Sequence, residues 1–398
     1  DGARWQLEQA VARLPGETEL RLAGVVTNDN GTVGFRGDID IAAARLDALA
    51  QLWKRPREDN PLFNMPGALH GRLMLAGDAF GLSNGRLVLD GEEHGLELRI
   101  GFGSEPRLDT VLKLGSLDAG ETAALLALAP DVTGEANFPI SFPDGSFSIA
   151  ADAADLLGLS AQDVLAEAQW SPSAIRFSRL EAGDWGGLSL SSTMRFSGTI
   201  SEPRVTGSGQ LAVSSAEAPG LMAIYEMTGV PFGWQQGLEA SWPADLQFIL
   251  SDDEQGPGQV LTLGGDLGAA VLDLRAEMAV GLAGIAQNEL RLVASLEGED
   301  GEAVLAQLGL DNGPLVSGEG NIVASLFAEG SGGDGFEGRV GLSRGGQSVS
   351  YSGGLRLAGN GEISGEGTID VLLDQADGLA ALAGARGALV LTLLTLAV

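Results

Sequence analysis

Residues 69–114 read LHGRLMLAGDAFGLSNGRLVLDGEEHGLELRIGFGSEPRLDTVLKL, and this stretch decides the fold class. It holds four short runs in which apolar and polar residues alternate. Leu73 and Leu75 oppose Arg72 and Met74. Leu87 and Leu89 oppose Arg86, Val88 and Asp90. Leu98, Ile100 and Phe102 oppose Glu97 and Arg99. Thr110, Leu112 and Leu114 oppose Val111 and Lys113. A period of two means strands with one apolar and one wet face. The runs are divided by Gly77-Asp78, Asn84-Gly85, Asp90-Gly91 and Ser104-Glu105-Pro106, all turn formers. The pattern predicts an antiparallel meander rather than parallel strands with helical crossovers.

The same device extends in both directions. Residues 19–40 hold two alternating runs joined by Asn28-Asp29-Asn30-Gly31, a hairpin signal. From Asp40 the period changes, placing Leu46, Leu49 and Trp53 on one helical face. Asp40 is the expected cap, Lys54 and Arg55 suit the end, and Pro56 stops the helix. A second helix is expected from Asp118, where Glu121 completes a capping-box spacing. Residues 136–212 return to strands, and Val164–Trp170 is read as strand over a helical alternative. A third helix opens at Pro219 and ends at Gly229. Residues 245–297 are strands again, with Leu272, Leu274, Ala276 and Met278 on one face of a run and Leu290, Leu292, Ala294 and Leu296 on one face of the next. A fourth helix, EAVLAQL, ends at Gly309. Gly-rich strands follow over 318–373, then a helical turn from Asp377 and a strand from Gly387.

Composition narrows the function. The chain has 398 residues and a net charge of −31 with only 23 Lys and Arg, so no basic surface exists to release counterions from nucleic acid or to grip anionic headgroups. The acidic excess reads as a solvated outer face. Cysteine is absent, which excludes disulfides and thiolate metal sites. No stretch of about 20 apolar residues is free of charge. No initiator Met or signal peptide is visible, and the chain reads as part of a larger protein. The expected fold is all-β with a few short helices: one elongated repetitive region, with sub-blocks near 1–66, 67–130, 131–230, 231–310 and 311–398. So many strands cannot lie flat, because neighbours rotate by about 20–25°, so the long antiparallel sheet is expected to curl into a U-shaped apolar groove.

Two runs resemble the AsmA family of bacterial envelope proteins. One is GRLMLAGDAFGLSNGRLVLDGEEHGLELRIGFGSEPRLDTVLKLGSLDAGE from Gly71. The other is AIRFSRLEAGDWGGLSLSSTMRFSGTISEPRVTGSGQLAV from Ala174. The likeness is one of cadence over residues 69–220 and is weaker outside them. It implies a periplasmic protein tethered to the inner membrane by an N-terminal helix that this chain lacks. It also implies similarity to bridge-like lipid-transfer proteins, whose sheet shelters phospholipid acyl chains between inner and outer membrane. Under that resemblance the lipid-lining residues are Leu87, Leu89, Leu98, Ile100, Phe102, Leu112, Leu114, Leu272, Leu274, Met278, Leu290, Leu292 and Leu296. The alternative is a structural or adhesin-like β-scaffold with a dry core. A polysaccharide enzyme ranks third, because aromatics are only 5% of residues.

No catalytic residue, metal site or cofactor is expected. Gly81-Leu82-Ser83-Asn84-Gly85 matches a nucleophile elbow, but alternation resumes at once with RLVLD where the elbow needs a helix, so the motif reads as a hairpin. Gly333–Gly338 matches GxGxxG without a following helix and reads as a hairpin loop. His70 and His94 stand alone, His94 in a turn expected to be solvated. The acidic clusters at Asp252–Glu254 and Glu297–Glu302 read as exposed loops.

Overall fold

The computed structural model describes residues 3–53, 60–104, 106–128, 142–198, 203–228, 239–254, 256, 258–281, 289–308, 310, 315, 320–331, 334–357 and 363–373. Strand outweighs helix by 69% to 11%, so the all-β reading holds. The chain divides into two compact units, Asp1–Trp185 and Gly186–Val398.

Unit 1 contains β1 (Ala3–Leu14), β2 (Thr18–Asp29), β3 (Thr32–Ala43), β4 (Gly67–Ala76), β5 (Ala79–Leu89), β6 (Glu92–Gly101), β7 (Arg107–Leu117), β8 (Asp144–Leu156), β9 (Leu159–Ser171) and β10 (Ala174–Trp185). Each pairs with the next in sequence, antiparallel except at one step. Asn30-Gly31 and Asp90-Gly91 form tight turns with positive φ at both residues, 53° and 89° in the first and 47° and 94° in the second. That geometry matches the twist of the flanking strands. The exception is β7–β8, which is parallel. Helix α2 (Ala119–Leu128) follows β7, and β8 begins at the opposite end of the sheet, beside the start of β7. The expectation of a purely antiparallel sheet is corrected at this step.

Three further local expectations change. The helix read from Asp40 starts later: Asp40 is held in β3 between Arg21 and His70, and α1 spans only Leu46–Ala50. The Asn84-Gly85 pair does not end a strand. It is a β-bulge inside β5, where the register slips against both neighbours. A side chain at Gly85 would meet Leu96 O at 2.2 Å, which is why glycine sits there. Residues 3–14, unassigned from sequence, form β1. The Asp118/Glu121 box forms as expected: Glu121 N donates to Asp118 Oδ1 at 2.8 Å, and Asp118 N donates to Glu121 Oε2 at 3.0 Å. Val164–Trp170 is strand, within β9.

The two described helices of unit 1, α1 and α2, lie at one rim, where β1, β3, β5 and β7 end. Arg45 N donates to Gly16 O in the β1–β2 turn at 3.0 Å, and Trp53 Nε1 donates to Leu128 O at 3.1 Å. Beneath them Leu46, Leu49, Ala50, Leu62, Leu89 and Ala124 form one buried cluster.

Unit 2 contains β11 (Leu188–Gly198), β12 (Pro203–Val213), β13 (Ala244–Asp252), β14 (Gln259–Leu267), β15 (Ala270–Met278), β16 (Leu290–Gly298), β17 (Ile322–Ser331), β18 (Gly335–Arg344), β19 (Gln347–Leu357) and β20 (Ile363–Leu372). All successive pairs are antiparallel. Helices α3 (Pro219–Thr228) and α4 (Gly301–Gln307) again share one rim. Ser214 N and Gly220 N donate to Gly187 O and Gly186 O, and Gln307 Nε2 donates to Leu267 O. Asp300 caps α4 by accepting from Glu302 N and Ala303 N, both at 3.1 Å. Part of the GxGxxG motif, Gly335–Gly338, opens β18 and is not a loop. The predicted helix from Asp377, the strand from Gly387, and Lys54 to Pro56 lie outside the described residues.

Candidate functional site

The apolar face of unit 1 is organised in rows that cross the strands. Register places Leu82, Leu98, Thr110, Phe147, Ala168 and Phe177 in one row. Leu96, Leu112, Ile149 and Ala166 form the next toward the helices. Ile100, Leu108, Gly145, Trp170 and Ile175 form the next on the other side. Both ends of this face are buried. At the helix rim Leu114, Leu117, Ala151 and Ala154 pack with Leu125 of α2. At the far rim Leu108, Phe142 and Trp170 close together, and Trp170 Nε1 donates to Phe142 O at 3.0 Å. Between them Leu98, Thr110, Leu112, Phe147, Ile149 and Phe177 are only half-buried. Phe147 meets Phe177 edge-on, with centroids 5.8 Å apart. The strands thus hold an accessible apolar stripe between two packed margins.

The sequence-derived residues fall into three groups. Leu98, Ile100 and Leu112 are half-buried on this stripe, and Leu87 borders the helix cluster. Leu89 and Leu114 are buried at the helix rim. Phe102 lies beyond the end of β6 and is exposed. In unit 2 the corresponding face is covered: Leu272, Leu274, Met278, Leu292 and Leu296 are 1–6% exposed, and only Leu290 is half-buried. Leu274 sits in a row with Leu263, Ala294, Leu326, Val340 and Tyr351. Alternation puts Thr110 on the apolar face of its run, and the structure adds it to the stripe. Phe147, Ile149 and Phe177 were not singled out, although each occupies an alternating position in its run.

The polar face carries a groove of about 420 Å³. Its walls are two register rows, Glu97, Val111, Ser148 and Glu167 on one side and Arg99, Asp109, Ser146 and Gln169 on the other. Burial alone would raise the Asp109 carboxyl, but hydrogen bonds from Arg107 and from Ser146 Oγ, the latter at 2.6 Å, hold it below the ordinary range.

The histidines depart from their expected settings. His70 is not alone: its Nδ1 bonds Asp40 on the exposed face. His94 is not in a solvated turn. It lies in β6, 3% exposed, with no hydrogen-bond partner at either ring nitrogen. Alternation places it on the apolar face with Leu96 and Leu98, opposite Leu87, which buries it. Ser83 is exposed beside the bulge in a strand, without the strand-to-helix turn of a nucleophile elbow. No group of three or more metal-ligating side chains occurs among the described residues. No family model, curated protein or solved structure matches the chain.

Proposed function

We propose that this chain is an AsmA-like envelope protein whose apolar β-face shelters lipid acyl chains and helps phospholipid pass between inner and outer membrane. The reading places it in the periplasm, tethered to the inner membrane by a helix outside this sequence. One observation carries it: the stripe through Leu98, Thr110, Phe147 and Ile149 runs continuously across β6–β8 and is only half-buried. Each methylene that leaves water for such a surface contributes about 0.8 kcal/mol, and an even lining without deep pockets lets a chain slide. No bond is made or broken. Ser83→Ala and His70→Ala accordingly leave function intact.

A second reading, a dry structural scaffold, is favoured by unit 2, where Leu274, Leu296 and Leu326 are at most 3% exposed. Photo-crosslinkers at Leu98, Phe147 and Leu274, followed by mass spectrometry of lipid adducts, separate the two. Adducts at Leu98 and Phe147 with none at Leu274 support a conduit confined to unit 1. No adduct at any of the three supports the scaffold.

A further inference from the structure

Ala168 of β9 presents only a methyl group to the apolar face, yet it is 3% exposed. Register explains the cover: its cross-strand partners are Phe147 of β8 and Phe177 of β10. Those two residues start from backbones two strands, about 10 Å, apart. Their ring centroids are only 5.8 Å apart and edge to face, so the rings lean together and arch over Ala168. The arch is braced from one side. The Trp170 ring lies 6.2 Å from that of Phe147, with its Nε1 held by Phe142 O, and it fills the space that a side chain at Gly145 would need. Rings held in this way form a bulky, stiff wall beside the aliphatic residues of the stripe.

The wall ends a lane. The half-buried part of the stripe lies between the row of Leu112 and Ile149 and the row of Thr110 and Phe147, which are about 7 Å apart. Buried Leu114 and Ala151 bound it on the helix side, and buried Leu108 and Trp170 on the other. That width takes one hydrocarbon chain lying across the strands. Toward β5 the lane stops at Leu82, 3% exposed and packed with Ile39 and Leu73. Toward β10 it stops at the arch. Between the two stops lie β6, β7 and β8, about 14 Å of sheet, or about a dozen methylenes. We propose that this lane is a slot for a single acyl chain, and that Phe147 and Phe177 are its end stop and set the preferred chain length. The slot rests on the reading of the stripe as a shelter for acyl chains, and restricts that shelter to one chain of limited length.

The test is titration calorimetry of the full chain with octanoate, dodecanoate and hexadecanoate. Affinity is expected to rise about two- to fourfold per methylene up to dodecanoate and to level off by hexadecanoate. Phe177→Ala removes one side of the arch and opens the space over Ala168, so hexadecanoate is expected to gain at least about tenfold over dodecanoate. Phe177→Tyr keeps the ring and is expected to keep the plateau. Thr110→Phe places a ring in the middle of the lane and is expected to move the plateau down to octanoate. It probes the slot from the opposite direction, so the test stands even where the loss of Phe177 costs the fold. Affinity that climbs through hexadecanoate in the unaltered chain, or a plateau that neither Phe177→Ala nor Thr110→Phe moves, would overturn the end stop and leave the shelter standing. No binding of any of the three chains would overturn the shelter itself, and the stop with it.

Discussion

Leu274→Ala and Leu98→Ala remove the same atoms from faces that look alike in sequence, and the structure expects different costs. Leu274 is 3% exposed and flanked in its row by Leu263 and Ala294. Truncation there loses the transfer free energy of the side chain and leaves a cavity, together about 3 kcal/mol. Leu98 is half-buried on the open stripe, so water or neighbours fill the space and the loss is about 1 kcal/mol. For units of this size each kcal/mol shifts the melting temperature by about 2–4 °C. Leu274→Ala should therefore lower the transition of unit 2 by about 6–12 °C, against about 2–4 °C for Leu98→Ala in unit 1. Hydrogen exchange of β15 and β16 amides beside those of β6 and β7 assigns each loss to its unit. Equal shifts in the two variants would refute the contrast between a covered and an open face.

Other substitutions probe single features. Gly85→Ala places a methyl 2.2 Å from Leu96 O and should cost more than the roughly 1 kcal/mol of an ordinary substitution, read from the denaturation midpoint. His94→Leu removes two unpaired buried ring nitrogens and should raise stability by about 1–3 kcal/mol, visible in the same assay. The hydrogen bond from Arg45 holds the Asp47 carboxyl below its ordinary value, so its contribution is present above the unfolded carboxylate value of about 3.9 and fades as pH falls through the folded one. Asp47→Asn should flatten the acid limb of a stability–pH curve below about pH 4 and leave its neutral part unchanged in shape.

Much of the fold could be read locally. Alternation around Leu98 and Leu274, the turn at Asp90-Gly91 and the box at Asp118 and Glu121 each depend on a few adjacent residues. What failed depends on distant ones. Residues 3–14 are rich in Ala, Gln, Glu and Arg, which favour helix, and become a strand by pairing with β2. Asn84-Gly85 serves a bulge as well as a turn, and only the slip against β4 and β6 decides. His94 follows two acidic residues and looked solvated, yet alternation with Leu96 put it on the buried side. Leu98 and Leu274 carry the same local pattern, and what separates them is the cover over each face, which no window of a dozen residues records.

The placement of helices at one rim within a unit sets a rule of parity. Every strand carries the chain across the sheet, so an even number returns it to the rim it left. Four strands, β4–β7, separate α1 from α2, and four, β13–β16, separate α3 from α4. Losing or gaining one antiparallel strand in either run would send the next helix to the opposite rim and reverse every strand after it. Gaining a hairpin would move no helix and would widen the apolar face by about 10 Å. Within such a run the chain lengthens by duplication in twos, and among the described pairings the parallel step at β7–β8 is where the count changes sign.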